Sequence, residues 1–212
     1  MKIFVIGGNY AAYNKASDDA LLMEKKSGET ADDAILFFKP DSALLKDHKP
    51  FFIPDDMGPI DCEGQLVVRI CRLGKTIPGR FAHRYYDALT VGVDFTARQL
   101  LHQLRGKGLP WDRSKGFDGS AMIGDWVAKE KFLDANSVRF HLEINGETAQ
   151  EGFTGDMLHS IDSLISDLSR HFTLKTGDIL FTGSPTLARE VSINDHIEGW
   201  IEERKVLDFR CK

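Results

Sequence analysis

The sequence predicts an α+β, β-rich mixed fold, and three observations predict it. From residue 35 onward, short apolar runs alternate with turns: "AILFFKP", "FFIP", "LVVRI", "LTVGVDF", "VRFHLEING" and "GDILFTGSP". Runs this short, rich in β-branched and aromatic residues and bounded by Gly, Pro, Asn and Asp, read as strands. Helical periodicity is confined to "DFTARQLLHQLRGKG" and "TGDMLHSIDSLISDLSRHF", which lie between strand groups and do not alternate with single strands. That order argues against a regular βαβ alternation. Finally, 212 residues that are 42% hydrophobic and 28% charged can bury a substantial core as a single domain, 1–212.

The opening "MKIFVIGG" reads as a first strand running into a glycine turn. Its glycines do not form GxGxxG and no long helix clearly follows, so a plain turn is preferred to a dinucleotide site. Residues 11–34 are polar and helix-prone, and read as a helix followed by a mobile loop. The stretch "MEKKSGETADD" cannot bury much apolar area. Residues 1–34 are therefore expected to form a first strand plus a lid-like segment, and 35–212 the core. In the second helical segment, Met157, Ile161, Leu164, Ile165 and Leu168 fall on one face.

Charge and cysteine content narrow the function classes. A net charge of −5 argues against nucleic-acid binding, which normally needs a basic face. Cys62, Cys71 and Cys211 form no CxxC pair, and their odd number does not suggest a disulfide framework. The first ten residues hold too short an apolar run for a signal peptide, and no run approaches the roughly 18 apolar residues of a membrane helix. The expectation is a cytoplasmic protein with no membrane or nucleic-acid partner.

The stretch "IDCEGQLVVRI", residues 60–70, poses the functional question. Residues two apart on a strand point to the same face, so Glu63 and Gln65 are aimed at one spot. Asp94 closes the strand-like "LTVGVD". A small hard cation takes oxygen ligands, often one or two carboxylates completed by water and substrate oxygens. Glu63, Gln65 and Asp94 could supply such a set and leave room for a bidentate 2-oxo acid. Alternatively, Asp94 caps the following helix and Glu63 is solvated at a strand end. Spacing leaves both readings open.

Six further stretches resemble the fumarylacetoacetate hydrolase family. "AILFFKPDSAL" is similar to its LFxKPxSA segment, "DCEGQL" to its E-x-E metal strand, and "VGVDFTARQLL" to its D-x-(S/T)-A-R-D segment. "KGLPWDRSKGFDGS", "INGETAQEGFT" and "LKTGDILFTGSP" resemble its W-x-x-x-K-x-F-D, NG-x-x-x-Q-x-G and TGTP signatures, all in family order. The short acylpyruvate hydrolase and oxaloacetate decarboxylase branch is the most similar, with the 2-hydroxyhepta-2,4-diene-1,7-dioate isomerases also alike. The resemblance implies a mixed-sheet roll with flanking helices, a homodimer, and Mg²⁺ or Mn²⁺ in a pocket that accepts a small 2-oxo acid or diacid. It places the metal on Glu63, Gln65 and Asp94, gives Arg98 and Lys115 catalytic positions, and gives Thr182, Gly183, Ser184 and Lys115 to substrate.

Three positions depart from the family pattern. Gln65 replaces a glutamate, which leaves the metal set a charge of −2 from Glu63 and Asp94. Tyr13 stands where the family's lid histidine is expected and Ala16 where its glutamate is expected, so the water-activating dyad is missing. A phenol with a pKa near ~10 is a poor general base at neutral pH. Leu101 replaces a glutamine one turn after Arg98. These losses favour enol–keto isomerase or decarboxylase chemistry over C–C hydrolysis. The alternative is a degenerate member that binds a carboxylate ligand without catalysis.

Overall fold

Two long antiparallel strands, β4 (Ile60–Ile70) and β5 (Tyr86–Ala97), form the spine of the molecule, paired in register from Ile60↔Ala97 to Ile70↔Tyr86. The computed structural model describes residues 1–16 and 35–212. Around the spine run β1 (Ile3–Gly7), β2 (Ile35–Lys39), β3 (Leu44–Leu45), β6 (Ala121–Ile123), β7 (Val127–Ala128), β10 (Ile179–Phe181) and β11 (Arg189–Val191). The main path is β2-β1-β10-β4-β5-β6-β3, with β11 added to β4 and β7 to β5. The β1–β10 and β3–β6 pairs are parallel and the others antiparallel, so the sheet is mixed as the sequence suggests. A second antiparallel sheet follows the order β13 (Arg204–Arg210), β12 (His196–Ile201), β8 (Arg139–Ile144), β9 (Glu147–Phe153).

Strand alternation sends β4 and β5 into two different environments. On one face Leu66, Val68, Ile70, Val91, Val93 and Phe95 pack in a large apolar cluster. That cluster also takes in Leu142, Ile197, Ile201, Leu207 and Phe209 of the second sheet. The other face places Val67 in a smaller cluster with Ile3, Val5, Ala121, Ile123, Ile179 and Phe181. Further along this second face the apolar residues give way to Asp61, Glu63, Gln65, Asp94 and Thr96, all buried.

Helices are few and short: α1 (Ala11–Ala16), α2 (Gly79–Ala82), α3 (Arg98–Gly106), α4 (Asp112–Lys115) and α5 (Ile161–His171) among the described residues. Several boundaries differ from the sequence reading. α3 begins at Arg98, because Asp94–Ala97 remain paired with β4. Ala97, not Asp94, stands at its N-cap position. α5 begins at Ile161, where Ser160 caps it by accepting from the Ser163 N–H at 3.2 Å, so Met157 precedes the helix. "FFIP" forms no strand: Phe51 makes one bridge to Cys211, and Pro50 and Pro54 on either side offer no backbone donor. Strands β12 and β13 went unread in sequence, where charged residues break up their apolar positions. Of the helix and mobile loop expected over 11–34, residues 17–34 lie outside the described residues. None of the described helices is long and apolar enough to cross a membrane.

A polar latch fixes the chain between β1 and α1. The Asn9 side chain is fully buried and donates to the carbonyls of Thr182 (2.8 Å) and His159 (3.0 Å), while its oxygen accepts from the His159 N–H at 2.8 Å. It ties together the chain after β1, the approach to α5 and the turn after β10. Asn9→Ala strands a buried N–H and two carbonyls at ~1–3 kcal/mol for each unsatisfied group. We expect a loss of about 3–5 kcal/mol on that basis in urea denaturation. A loss below ~0.5 kcal/mol, typical of an unimportant surface site, would count against the latch.

Candidate active site

The site forms where the large sheet opens. β10 pairs with Val67–Arg69 of β4, and β11 pairs with Ile60–Cys62, but the chain between them, residues 182–188, leaves the ladder beside Glu63–Leu66. Other bonds hold this excursion in place. The N–H and hydroxyl of Thr182 both donate to the Leu66 carbonyl, at 3.0 and 2.8 Å. The Gly183 N–H donates to Oε1 of Gln65 at 2.8 Å. From β9, Gln150 donates to Ser184 Oγ (3.0 Å) and to the carbonyls of Thr186 (3.0 Å) and Leu187 (3.1 Å), while its own oxygen accepts from the Gly64 N–H. Gly183 has φ +107°, and a Cβ there would stand 2.8 Å from Asn9 Cβ, so both conformation and space require glycine.

The opening leaves a cavity of about 260 Å³. Ile35, Phe37, Trp111 and Leu187 supply apolar wall, Glu63, Gln65, Asp94 and Lys115 polar wall, and Tyr13 and Ala16 of α1 reach it from above the strands. Glu63 and Asp94 are directly opposed residues of β4 and β5, so their side chains leave the sheet together. Lys115, the last residue of α4, points between them: its Nζ lies 2.9 Å from Asp94 Oδ2 and 3.5 Å from Glu63 Oε2. The same ammonium sits 4.8 Å from the centre of the Phe37 ring. Lys39 approaches from the far side, with Nζ 2.7 Å from Asp94 Oδ1, and donates to the carbonyls of Phe95 (3.0 Å), Ser120 (2.9 Å) and Lys115. The Tyr13 hydroxyl donates to Glu63 Oε1 at 2.9 Å. At the rim, Arg98 pairs with Asp61.

Proton affinities follow from this arrangement. Burial opposes ionisation of Asp94, but the ammonium groups of Lys115 and Lys39 outweigh it and hold the carboxyl below its usual range. Burial pushes Glu63 up; the charge of Asp94 adds to that, while Lys115 and the Tyr13 hydrogen bond oppose it. Burial also brings the Lys39 ammonium down to about 8 against the pull of Asp94. For Lys115 burial acts in the same sense, yet Asp94 and Glu63 prevail and raise it.

The residues expected from sequence are placed unequally. Glu63, Asp94 and Lys115 converge, and Gln65, Arg98 and Ser184 line the same cavity. Neither alternative reading of the carboxylates applies: Asp94 caps no helix, and Glu63 is buried. The amide oxygen of Gln65 is directed at the Gly183 N–H. Thr182 directs its hydroxyl at Leu66, Gly183 gives its N–H to Gln65, and Ser184 donates its hydroxyl proton to the Thr186 carbonyl at 2.8 Å. In this geometry the turn's donors hold the loop together. Two residues were missed as members of the cluster, Lys39 and Asp61. The "FFKP" run in which Lys39 sits was read as a strand and a family signature, and a lysine in an apolar run was the available signal. The tightest His/carboxylate group among the described residues lies elsewhere: His196, Glu198 and Asp208, with ligand atoms within 4.8 Å of one another. There the Lys205 ammonium already bridges Glu198 (2.8 Å) and Asp208 (2.9 Å) at the surface.

The donor set fits a small hard cation in one respect: the point between Glu63 and Asp94 is already occupied by a cationic group, the Lys115 ammonium. Two converging carboxylates are the usual protein share of a Mg²⁺-type site.

A mixed-sheet roll with a buried carboxylate–lysine cluster at a break in the sheet defines the class of molecule. The chain belongs to the fumarylacetoacetate hydrolase family, whose C-terminal domain model matches residues 2–210. It is 36% identical over 150 residues to the mitochondrial oxaloacetate tautomerase FAHD1 of Mus musculus, which covers 71% of this chain and 68% of that protein. The alignments to such curated relatives span about two thirds of the relatives' length. Among solved structures, fumarylpyruvate hydrolase from Pseudomonas aeruginosa in complex with Mn²⁺ and pyruvate superposes with a TM-score of 0.88 at 27% identity, covering 100% of this chain and 89% of that one. The 2-hydroxyhepta-2,4-diene-1,7-dioate isomerase from Mycobacterium marinum gives 0.81 at 26% identity, over 99% of this chain and 73% of its own.

Lys39→Met removes one of the two cations facing Asp94 and takes one donor each from the carbonyls of Phe95, Ser120 and Lys115. Breaking a buried pair from one side typically costs ~3–5 kcal/mol. Guanidinium denaturation of the variant is expected to show a loss of that size, and retention of full stability would show that Lys39 does not hold the cluster.

Proposed function

We propose that this protein is a divalent-metal-dependent enzyme that interconverts the enol and keto forms of a small 2-oxo acid or diacid, or decarboxylates it. The carrying observation is the Glu63–Asp94–Lys115 cluster, buried at the floor of a cavity just below the ~300–1,000 Å³ usual for ligand sites. A cavity of that size suits a short acid better than a long acyl chain. The relatives support the same class: an oxaloacetate tautomerase, a fumarylpyruvate hydrolase and a dioate isomerase.

In this reading Glu63 and Asp94 hold Mg²⁺ or Mn²⁺, which when bound would supply Lewis-acid stabilisation of a 2-oxo oxygen. Lys115 holds the negative charge that develops on that oxygen in the enolate. Arg98 at the rim orients a carboxylate of the substrate. Ile35, Phe37, Trp111 and Leu187 limit water around the reacting carbon. Keto–enol exchange moves one proton between a carbon and the adjacent oxo oxygen and needs no nucleophilic water. Hydrolysis needs an activated water, and the positions for its dyad hold the Tyr13 phenol, donated to Glu63, and the Ala16 methyl. The homodimer implied by the family remains part of the proposal.

Charge counting adds a condition. Lys39 and Lys115 already offset Glu63 and Asp94, so a divalent cation adds two positive charges that a substrate anion would neutralise. Metal and acid should therefore bind cooperatively, and the coupling must be reciprocal. Calorimetry is expected to show Mn²⁺ binding at least ~5-fold tighter with saturating oxalate, the lower end of usual coupling. Equal affinity with and without oxalate would contradict this charge balance.

The chemistry is tested by following enol absorbance and pyruvate release in parallel. The unmodified protein with Mg²⁺ or Mn²⁺ should act on oxaloacetate faster than it cleaves acylpyruvates. Tyr13→His with Ala16→Glu should raise acylpyruvate hydrolysis toward the ~10²–10⁴-fold that general-base help contributes. Efficient acylpyruvate cleavage by the unmodified protein would sink the assignment. Ligand binding without turnover of either substrate would leave a carboxylate-binding protein.

A further inference from the structure

Gln65 is buried in the cavity wall, with 1% of its surface exposed, on the β4 face that carries Glu63. A backbone N–H must face an acceptor, so the hydrogen bond from Gly183 fixes which end of the amide is oxygen. The planar amide then turns Nε2 away from the loop. No hydrogen bond from Nε2 to any described residue accompanies it, although Asn9 and Gln150, the other buried amides of the site, both donate from theirs. Gln65 lines the cavity, so an N–H₂ whose oxygen is already held by the turn is a donor available to a ligand there. Gly92, directly across the ladder from Gln65, has no side chain that could supply one.

From this geometry we propose that Gln65 is a substrate-binding residue. It donates Nε2–H to a carboxylate oxygen of the 2-oxo acid, while its own oxygen pins the Gly183 turn and is not given to the cation. The inference rests on the reading of the cavity as a 2-oxo acid site and deepens it. It also gives the substitution a chemical sense. A glutamate here would present negative charge to an incoming carboxylate, whereas the amide presents a proton. The turn and the substrate would then be read by opposite ends of one side chain.

The test uses Gln65→Met, which keeps length and burial but removes both the oxygen and the N–H₂. Mn²⁺ affinity alone and oxalate affinity at saturating Mn²⁺ are measured by calorimetry for both proteins. A hydrogen bond to a charged group is worth ~1.5–3 kcal/mol, roughly 10- to 100-fold in affinity. The expected result is oxalate weakened by at least ~10-fold on that scale, with Mn²⁺ alone changed by less than about 2-fold. Mn²⁺ affinity falling ~10-fold or more would make Gln65 a ligand to the cation, as its oxygen would then carry the loss. Unchanged oxalate affinity would equally overturn the proposal. Should the variant fail to fold, the unmodified protein supplies the measurement. The Gln65 side-chain amide signals, identified by their proximity to the Gly183 amide proton, should shift on adding oxalate with Mg²⁺, and signals that stay fixed while oxalate binds would refute the contact. If the unmodified protein binds neither Mn²⁺ nor oxalate, the reading of the cavity fails as well. Binding with no effect at Gln65 sinks this inference alone.

Discussion

Asp94 is completely buried with an ammonium group against each of its carboxylate oxygens, Lys39 on one side and Lys115 on the other. Taking such charges out of water is costly, and only close pairing with the remaining hydrogen bonds satisfied offsets it. The surrounding structure supplies the close pairing. β2 ends at Lys39 so that its ammonium can reach three backbone carbonyls, and the short helix α4 ends at Lys115 between the two acids. The Lys115 carbonyl accepts from Lys39, and Ser120 Oγ donates to the same oxygen at 2.8 Å. Lys39 is thus positioned by the backbone of Lys115 as well as by the acid the two lysines share.

The break in the sheet is what turns a buried ion cluster into a site. A continuous ladder along β4 would cover Glu63 and Gln65 with another strand. Here β10 and β11 take the two ends of β4 and the chain between them bows out, held by side chains in place of ladder bonds. Three backbone N–H groups at the break are paired, as buried donors require. The Thr182 N–H reaches Leu66, the Gly183 N–H reaches Gln65 and the Gly64 N–H reaches Gln150. Loop rigidity and site shape therefore have the same source.

Residues of α1 and α3 line the cavity beside the acids and the lysine. Tyr13 hydrogen-bonds Glu63, and Leu101 adds apolar wall. In the proposed reading, Tyr13 and Ala16 at the dyad positions make water activation difficult, while Glu63, Asp94 and Lys115 remain to stabilise an enolate. On that proposal, the asymmetry would set isomerase chemistry here apart from the hydrolysis named for a relative such as fumarylpyruvate hydrolase.

The sequence by itself determined the strand-rich class, through short runs such as "LTVGVDF", and it put Glu63, Asp94 and Lys115 in one site by their motifs. Alternation along β4 was enough to place Glu63 and Gln65 on a common face. It misjudged lengths: β4 and β5 run on through Asp61, Glu63, Gln65, Asp94 and Thr96, because a partner strand satisfies their backbone whatever the side-chain polarity. It also missed β12 and β13, whose strand state is set by pairing with each other and with β8. Only the tertiary structure decided that Lys39 faces Asp94, 55 positions along the chain, and that the oxygen of Gln65 faces Gly183. Periodicity reports which face a side chain leaves from. Which atom it meets there depends on chain brought back from far along the sequence, and on the need to pair the charges that the fold has buried.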